Sequence, residues 1–197
     1  VKVDNSHNDN IPPLTGDFTF FGGLYRNVSL IVVDQAHFTD QLYGTNSIYV
    51  HADHVNEKNA TIKIDGKISS NTSIKQLLVN ATVIDTKGNK VGEAKWLSST
   101  NGNLSFQLPD VIIENPILWS PENPYRYQVI TRLTDYKTGK VLDEVKTNIG
   151  LRYFSFDANK GFFLNGKSVK LIGASRHQDF AKMGNAVPSD LQVKDVE

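Results

Sequence analysis

Cysteine is absent from the 197 residues and methionine occurs once. The first absence excludes disulfides and zinc–thiolate centres, and it leaves the cellular compartment open. Charge of one sign is lacking too: 21 Lys and Arg balance 21 Asp and Glu, for a formal net charge of zero. Binding to nucleic acid or to a membrane surface through bulk electrostatics is therefore not expected. No apolar run approaches the roughly 18 residues of a membrane span. The opening stretch "VKVDNSHNDN" has no initiating methionine and no basic segment leading into an apolar one, so no signal peptide is read there. It begins in the manner of the middle of a strand, and a fragment of a longer chain is expected.

A sustained 3.6-residue apolar stripe is missing as well; what is there has a period of two. "SIYVHADHV" (47–55) sets Ile48, Val50 and Ala52 against Tyr49, His51 and Asp53, the alternation of a half-buried strand. "ATIKIDGKI" (60–68) follows with Ile62 and Ile64, and a glycine turn is expected at Gly66. "KQLLVNATVID", "KVGEAKWL", "NLSFQLPDVII", "YRYQVITRLTD" and "KVLDEVKTNIGLRYFSFD" continue the pattern, interrupted by the turns "DTKGNK" and "YKTGK". Seven short strands over roughly 110 residues predict an all-β fold, an immunoglobulin-like antiparallel β-sandwich.

Two flanks stand outside that sandwich. Residues 1–38 hold a polar stretch with Pro12 and Pro13, then "DFTFFGGLYRNVSLIVVD". This is an aromatic, glycine-containing bend followed by a strand rich in Val, Leu and Ile, and it reads as the end of a different β-domain. From residue 157, "DANKGFFLNGKSVKLIGASR" sets an Asn-Gly hairpin turn between two apolar strands. "PSDLQVKDVE" (188–197) reads as a helix start capped by Ser189 or Asp190. Strand, polar loop and helix start together open a βα unit.

The polar loop "GASRHQDFAKMGNAVPSD" (173–190) brings Arg176, His177 and Asp179 just beyond the apolar run "VKLIGA". On residue types alone it reads as a solvated loop with one satisfied histidine. His51 and His54 lie three apart on a strand and point to opposite faces, which rules against a local two-histidine metal site. Trp119, among Pro116, Pro121 and Pro124, is expected to pack over one end of the sandwich, and Trp96 to pack in its core or at its edge. Arg26, in "GLYRNV", is expected to pair with a carboxylate.

Four stretches, "GDFTFFGGLYRNVSLI", "NPILWSPENPYRYQV", "IGLRYFSFD" and "KGFFLNGKSVKLIGASRHQD", together resemble glycoside hydrolase family 2, which includes β-galactosidases, β-glucuronidases and β-mannosidases. The resemblance implies that residues 1–38 end a sugar-binding jelly roll and that residues 39–155 are the sandwich. It implies that residues 156–197 enter a catalytic TIM barrel, with a hairpin over its floor, a first strand and the start of a helix. If so, Arg176 and His177 lie at the C-terminal face of a barrel strand, where such barrels build their chemistry. The resemblance makes both substrate-binding, His177 through a hydrogen bond to a sugar hydroxyl and Arg176 on the same rim.

β-Galactosidases often carry Arg-His-Glu-His-His-Pro where this chain has Arg-His-Gln-Asp-Phe, so the sugar is open. A β-galactosidase parent is expected first, with a β-glucuronidase, a β-mannosidase or a free-standing carbohydrate- or protein-binding sandwich as alternatives. The loop "VDNSHNDN" (3–10), with Asn5, His7 and Asp9, either reaches the sugar or is an ordinary turn-rich loop. A retaining glycosidase uses two carboxylates roughly 5–5.5 Å apart, and the resemblance puts both glutamates downstream of Glu197. No catalytic residue, cofactor or metal is therefore expected in this chain, and its partner is a β-glycoside bound through the intact parent. Phe162, Phe163, Leu164, Val169, Leu171 and Ile172 are expected to seek cover, by packing back on the sandwich or by self-association of the chain.

Overall fold

The structure is a computed structural model that describes residues 2–10, 21–39, 45–71, 73–98 and 102–197. Pro12, Pro13 and the start of the expected aromatic bend lie outside the described residues. The chain forms two compact units, Val1–Ile31 with Ile172–Glu197, and Val32–Leu171.

The larger unit is built from strands β1 (Ala36–Phe38), β2 (Ile48–Asp53), β3 (Asn59–Ser70), β4 (Leu77–Ile84), β5 (Lys90–Leu97) and β6 (Leu104–Gln107). It continues through β7 (Val111–Glu114), β8 (Tyr127–Asp135), β9 (Val141–Ile149), β10 (Phe154–Asp157), β11 (Gly161–Leu164) and β12 (Lys167–Ser168). β3 is the axis of the first sheet: β2 and β1 pair along one edge, β7 and β6 along the other. The second sheet runs β5-β4-β8-β9, and every pairing is antiparallel. This is the expected immunoglobulin-like sandwich. Residues 36–38 already belong to its first sheet, through the register Ala36↔Ser70 to Phe38↔Ile68.

The period of two is what holds the sheets together. β3 turns Ala60, Ile62, Ile64 and Ile68 inward; β4 turns Leu77, Val79, Ala81 and Val83; β8 turns Tyr127, Val129, Thr131 and Leu133. Each of these side chains is almost wholly buried in one core fed by both sheets. Full burial of one Val, Leu or Ile is worth roughly 1.5–3 kcal/mol. Trp96 crosses from β5 to stack near Phe106 of β6 at 5.8 Å, with Phe38 beyond it. At the start of β8 the Tyr127 hydroxyl accepts the Ile117 N–H at 2.9 Å, the tyrosine corner of this architecture.

Gly66 does not turn the chain. β3 passes straight through it from Asn59 to Ser70. A Cβ there would lie 2.6 Å from the Ser47 carbonyl and 2.8 Å from the Phe106 ring. The Asp-Gly pair that reads as a turn marks instead a close approach within a strand. His54 likewise lies beyond the end of β2, at φ 49°, so it is not on a strand face opposite His51.

The Asn-Gly hairpin forms as expected. Asn165 and Gly166 take φ 49° and 75°, the left-handed pair of a type I′ turn, between β11 and β12. Asn165 donates its amide N–H to the Trp119 carbonyl at 2.9 Å and accepts the Tyr153 N–H at 3.1 Å. The Tyr153 hydroxyl donates to Glu57 at 2.6 Å. Trp119 lies against Gly150 with the Arg152 guanidinium 4.9 Å over its ring, so it packs at one end of the sandwich as expected. Leu164 is buried, whereas Phe154 and Phe156 are 62% and 72% exposed and cluster with Phe162 at 5.1–6.1 Å.

Two expected strands do not form. Residues 27–34 and 169–175 carry the right side chains but no ladder, and Leu30, Val32 and Ile172 are 91%, 85% and 85% exposed. A β-branched run needs a neighbouring strand to become one; Val169 donates its N–H to the Phe162 carbonyl at 2.9 Å, at the end of the β11–β12 pairing, and no ladder continues beyond it among the described residues.

Candidate functional site

The smaller unit holds the polar loop that carries Arg176 and His177. Its far end is closed by a turn in which the Phe180 and Gly184 backbones exchange two hydrogen bonds of 3.0 Å. Lys182 and Gly184 take the left-handed conformation there, at φ 69° and 56°. Phe21 packs onto Gly184 so closely that a Cβ would sit 2.9 Å from its ring. Arg26 donates to the Asn185 carbonyl at 2.6 Å and to the Tyr25 carbonyl at 3.2 Å, and stacks 4.8 Å over the Tyr25 ring. The expected carboxylate partner is therefore a pair of backbone carbonyls, which the guanidinium fork serves equally well.

After the turn comes the short helix α1 (Ser189–Lys194). Neither Ser189 nor Asp190 caps it: both lie in its first turn, Pro188 takes the cap position, and no side chain closes that end. Pro188 stands there in extended conformation, at φ −61° and ψ 149°, and Asp190 meets the positive end of the helix.

Arg176 reaches across to the end of this helix. Its Nε donates to Asp195 Oδ2 at 2.9 Å, and Nη2 donates to the same oxygen. About one-third of each side chain is exposed. His177 points outward, with its side chain 68% exposed and Nδ1 3.8 Å from Asp179 Oδ1. Of the two residues expected to bind substrate, His177 lies mostly exposed beside Asp179, and the Arg176 guanidinium is engaged by Asp195.

The loop 3–10 belongs to the same unit. Asp4 accepts the Ser6 N–H at 2.9 Å, and His7 Nε2 lies 2.8 Å from Asp9 Oδ1. Ser6, through its hydroxyl first and its N–H second, holds the Asp4 carboxyl below its ordinary range. The Asn5 amide fills the space a Cβ on Gly22 would need, 2.7 Å away. Asp195 and the Asn5–Gly22 contact are the features sequence reasoning missed. Asp195 sits 19 residues from Arg176 with no periodic cue, and Asn5 and Gly22 are 17 positions apart with no spacing that pairs them.

The model of glycosyl hydrolases family 2 matches residues 45–152, more than half of the chain. The chain belongs to this family. A β-glucuronidase of Bacteroides fragilis is 36% identical over all of this chain and 28% of its own length. A β-galactosidase of Thermoanaerobacter pseudethanolicus is 30% identical over all of this chain and 25% of its own length. The crystal structure of a Bacteroides uniformis β-glucuronidase superposes with a TM-score of 0.89 at 34% identity, over 98% of this chain and 23% of that one. The chain therefore spans about a quarter of the length of the family 2 relatives it matches.

Proposed function

We propose that this chain is a non-catalytic part of a retaining exo-β-glycosidase, joining a sugar-binding jelly roll, whose end lies ahead of β1 (Ala36–Phe38), to a catalytic barrel that begins within residues 156–197. The observation that supports it is the match to β-glucuronidases and β-galactosidases along the whole chain, at about a quarter of their length. The sandwich orients its neighbours, and the exposed His177 ring supplies one hydrogen bond to a hydroxyl of the terminal sugar. The two carboxylates that such hydrolysis requires come from the rest of the parent protein.

The glycone is a β-glucuronide or a β-galactoside. The glucuronide has the higher identity behind it, 36% against 30%. The test is to assay the full-length parent on nitrophenyl β-glucuronide, β-galactoside, β-mannoside and β-glucoside, beside its His177→Ala variant. Cleavage of a glucuronide or galactoside, with kcat/KM reduced in the variant, is expected. Failure on all four glycosides, or cleavage by residues 1–197 alone, would overturn the reading.

A further inference from the structure

We propose that Arg176 is a positioning residue: its guanidinium, held by Asp195, fixes the loop that carries His177 and does not touch the sugar. The proposal rests on the reading of His177 as a sugar contact. Two of the guanidinium's donors converge on one Asp195 oxygen. A substrate carboxylate approaching Arg176 would have to displace Asp195 or lie beside its negative charge.

The place of Asp195 points the same way. It is the C-cap of α1, with its backbone N–H bonded to the Leu191 carbonyl at 3.2 Å. An anion at a helix C-terminus is unfavourable, and Arg176 sets a cation beside this one. The loop is also fixed on the far side of His177, where Phe180 and Gly184 close their turn and Arg26 grips Asn185. His177, Gln178 and Asp179 form a short arch between two fixed points, Arg176 and Phe180. Freeing one end of the arch moves the imidazole, and misplacement by about 1 Å can cost on the order of a hundredfold in rate.

The experiment uses the full-length parent with Arg176→Gln, Asp195→Asn and the double variant. It reads kcat/KM on the glucuronide and the galactoside, thermal stability, and amide exchange of residues 176–186. The expected result is a roughly ten- to hundredfold loss in each single variant, by the same factor on the anionic and the neutral glycoside. The double variant should lose no more than either single, as residues acting as a unit do, and exchange should quicken in all three.

A loss in Arg176→Gln confined to the glucuronide would overturn the proposal, because the guanidinium would then be reading the carboxylate. So would an Asp195→Asn enzyme with unaltered kinetics. A fall in melting temperature with kcat/KM of the folded enzyme unchanged would reduce the pair to a stabilising contact. A parent that cleaves none of the glycosides removes the functional reading, and the sugar-pocket role with it. In that case exchange still reports whether Asp195 holds the loop.

Discussion

The Phe106 ring occupies the inner side of β3 at Gly66, with its Cζ 2.8 Å from where a Cβ would stand. The glycine is the one gap in the row Ala60, Ile62, Ile64, Ile68, and Phe106, itself ringed by Phe38 and Trp96, fills it. Gly66→Ala is expected to overpack the core and destabilise by about 1–3 kcal/mol. Urea unfolding with an unchanged midpoint would show that the ring can move aside.

The tyrosine corner makes a second expectation. Tyr127→Phe keeps the packing but leaves the Ile117 N–H without its acceptor, at a cost of about 1–3 kcal/mol. Burial, first of all, raises the Tyr127 phenol above its ordinary value of 10.0. The folded state therefore favours the neutral form. That stability is complete below pH 10.0 and is lost as pH rises through the folded value. Alkaline melts should fall more steeply for the native chain than for the Phe variant; parallel curves would show that burial does not hold the Tyr127 phenol in its neutral form.

Acid acts through the two hairpin aspartates. Asp85 accepts the Lys87 and Asn89 N–H groups at 2.8 Å, and Asp135 accepts the Lys137 N–H at 3.0 Å and the Thr138 hydroxyl at 2.7 Å. The Asn89 side chain, most of all, lowers the Asp85 carboxyl, and Thr138 does the same for Asp135. Their contribution is present above the ordinary value of 3.8 and disappears as pH falls through the lowered folded values. Amide exchange at Gly88 and Gly139 should quicken over that range. An Asp85→Asn, Asp135→Asn chain should lose the dependence, and its persistence would place the acid sensitivity elsewhere.

Asn165 is expected to be costly to replace. Asn165→Ala removes two hydrogen bonds to Trp119 and Tyr153 and forces an alanine to φ 49°. A loss of roughly 1–3 kcal/mol follows. Retention of the native melting curve would show that β10–β12 stand without this lock.

These residues also mark how far the sequence could be read. The sandwich was legible because one face of each strand is buried, which forces the alternation seen in Leu77, Val79, Ala81 and Val83. Gly66 was misread because a glycine after Asp signals a turn and a close approach alike. Residues 27–34 and 169–175 have strand composition, yet a strand is a property of a pair. At the candidate site the Arg176–His177 loop stood out after its apolar run, whereas its fastening to Asp195 did not. A contact between two surface side chains 19 residues apart leaves no pattern in composition or spacing.

The two aspartate turns have one consequence for how this domain can change. In one, Asp85 N–H meets the Asn89 carbonyl; in the other, Asp135 N–H meets the Lys140 carbonyl, one residue farther on. Both still catch the N–H two positions ahead on the same carboxylate oxygen. Chain length at these tips is thus a free variable: a residue can be gained or dropped there while strand register, set by the buried faces, stays where it was.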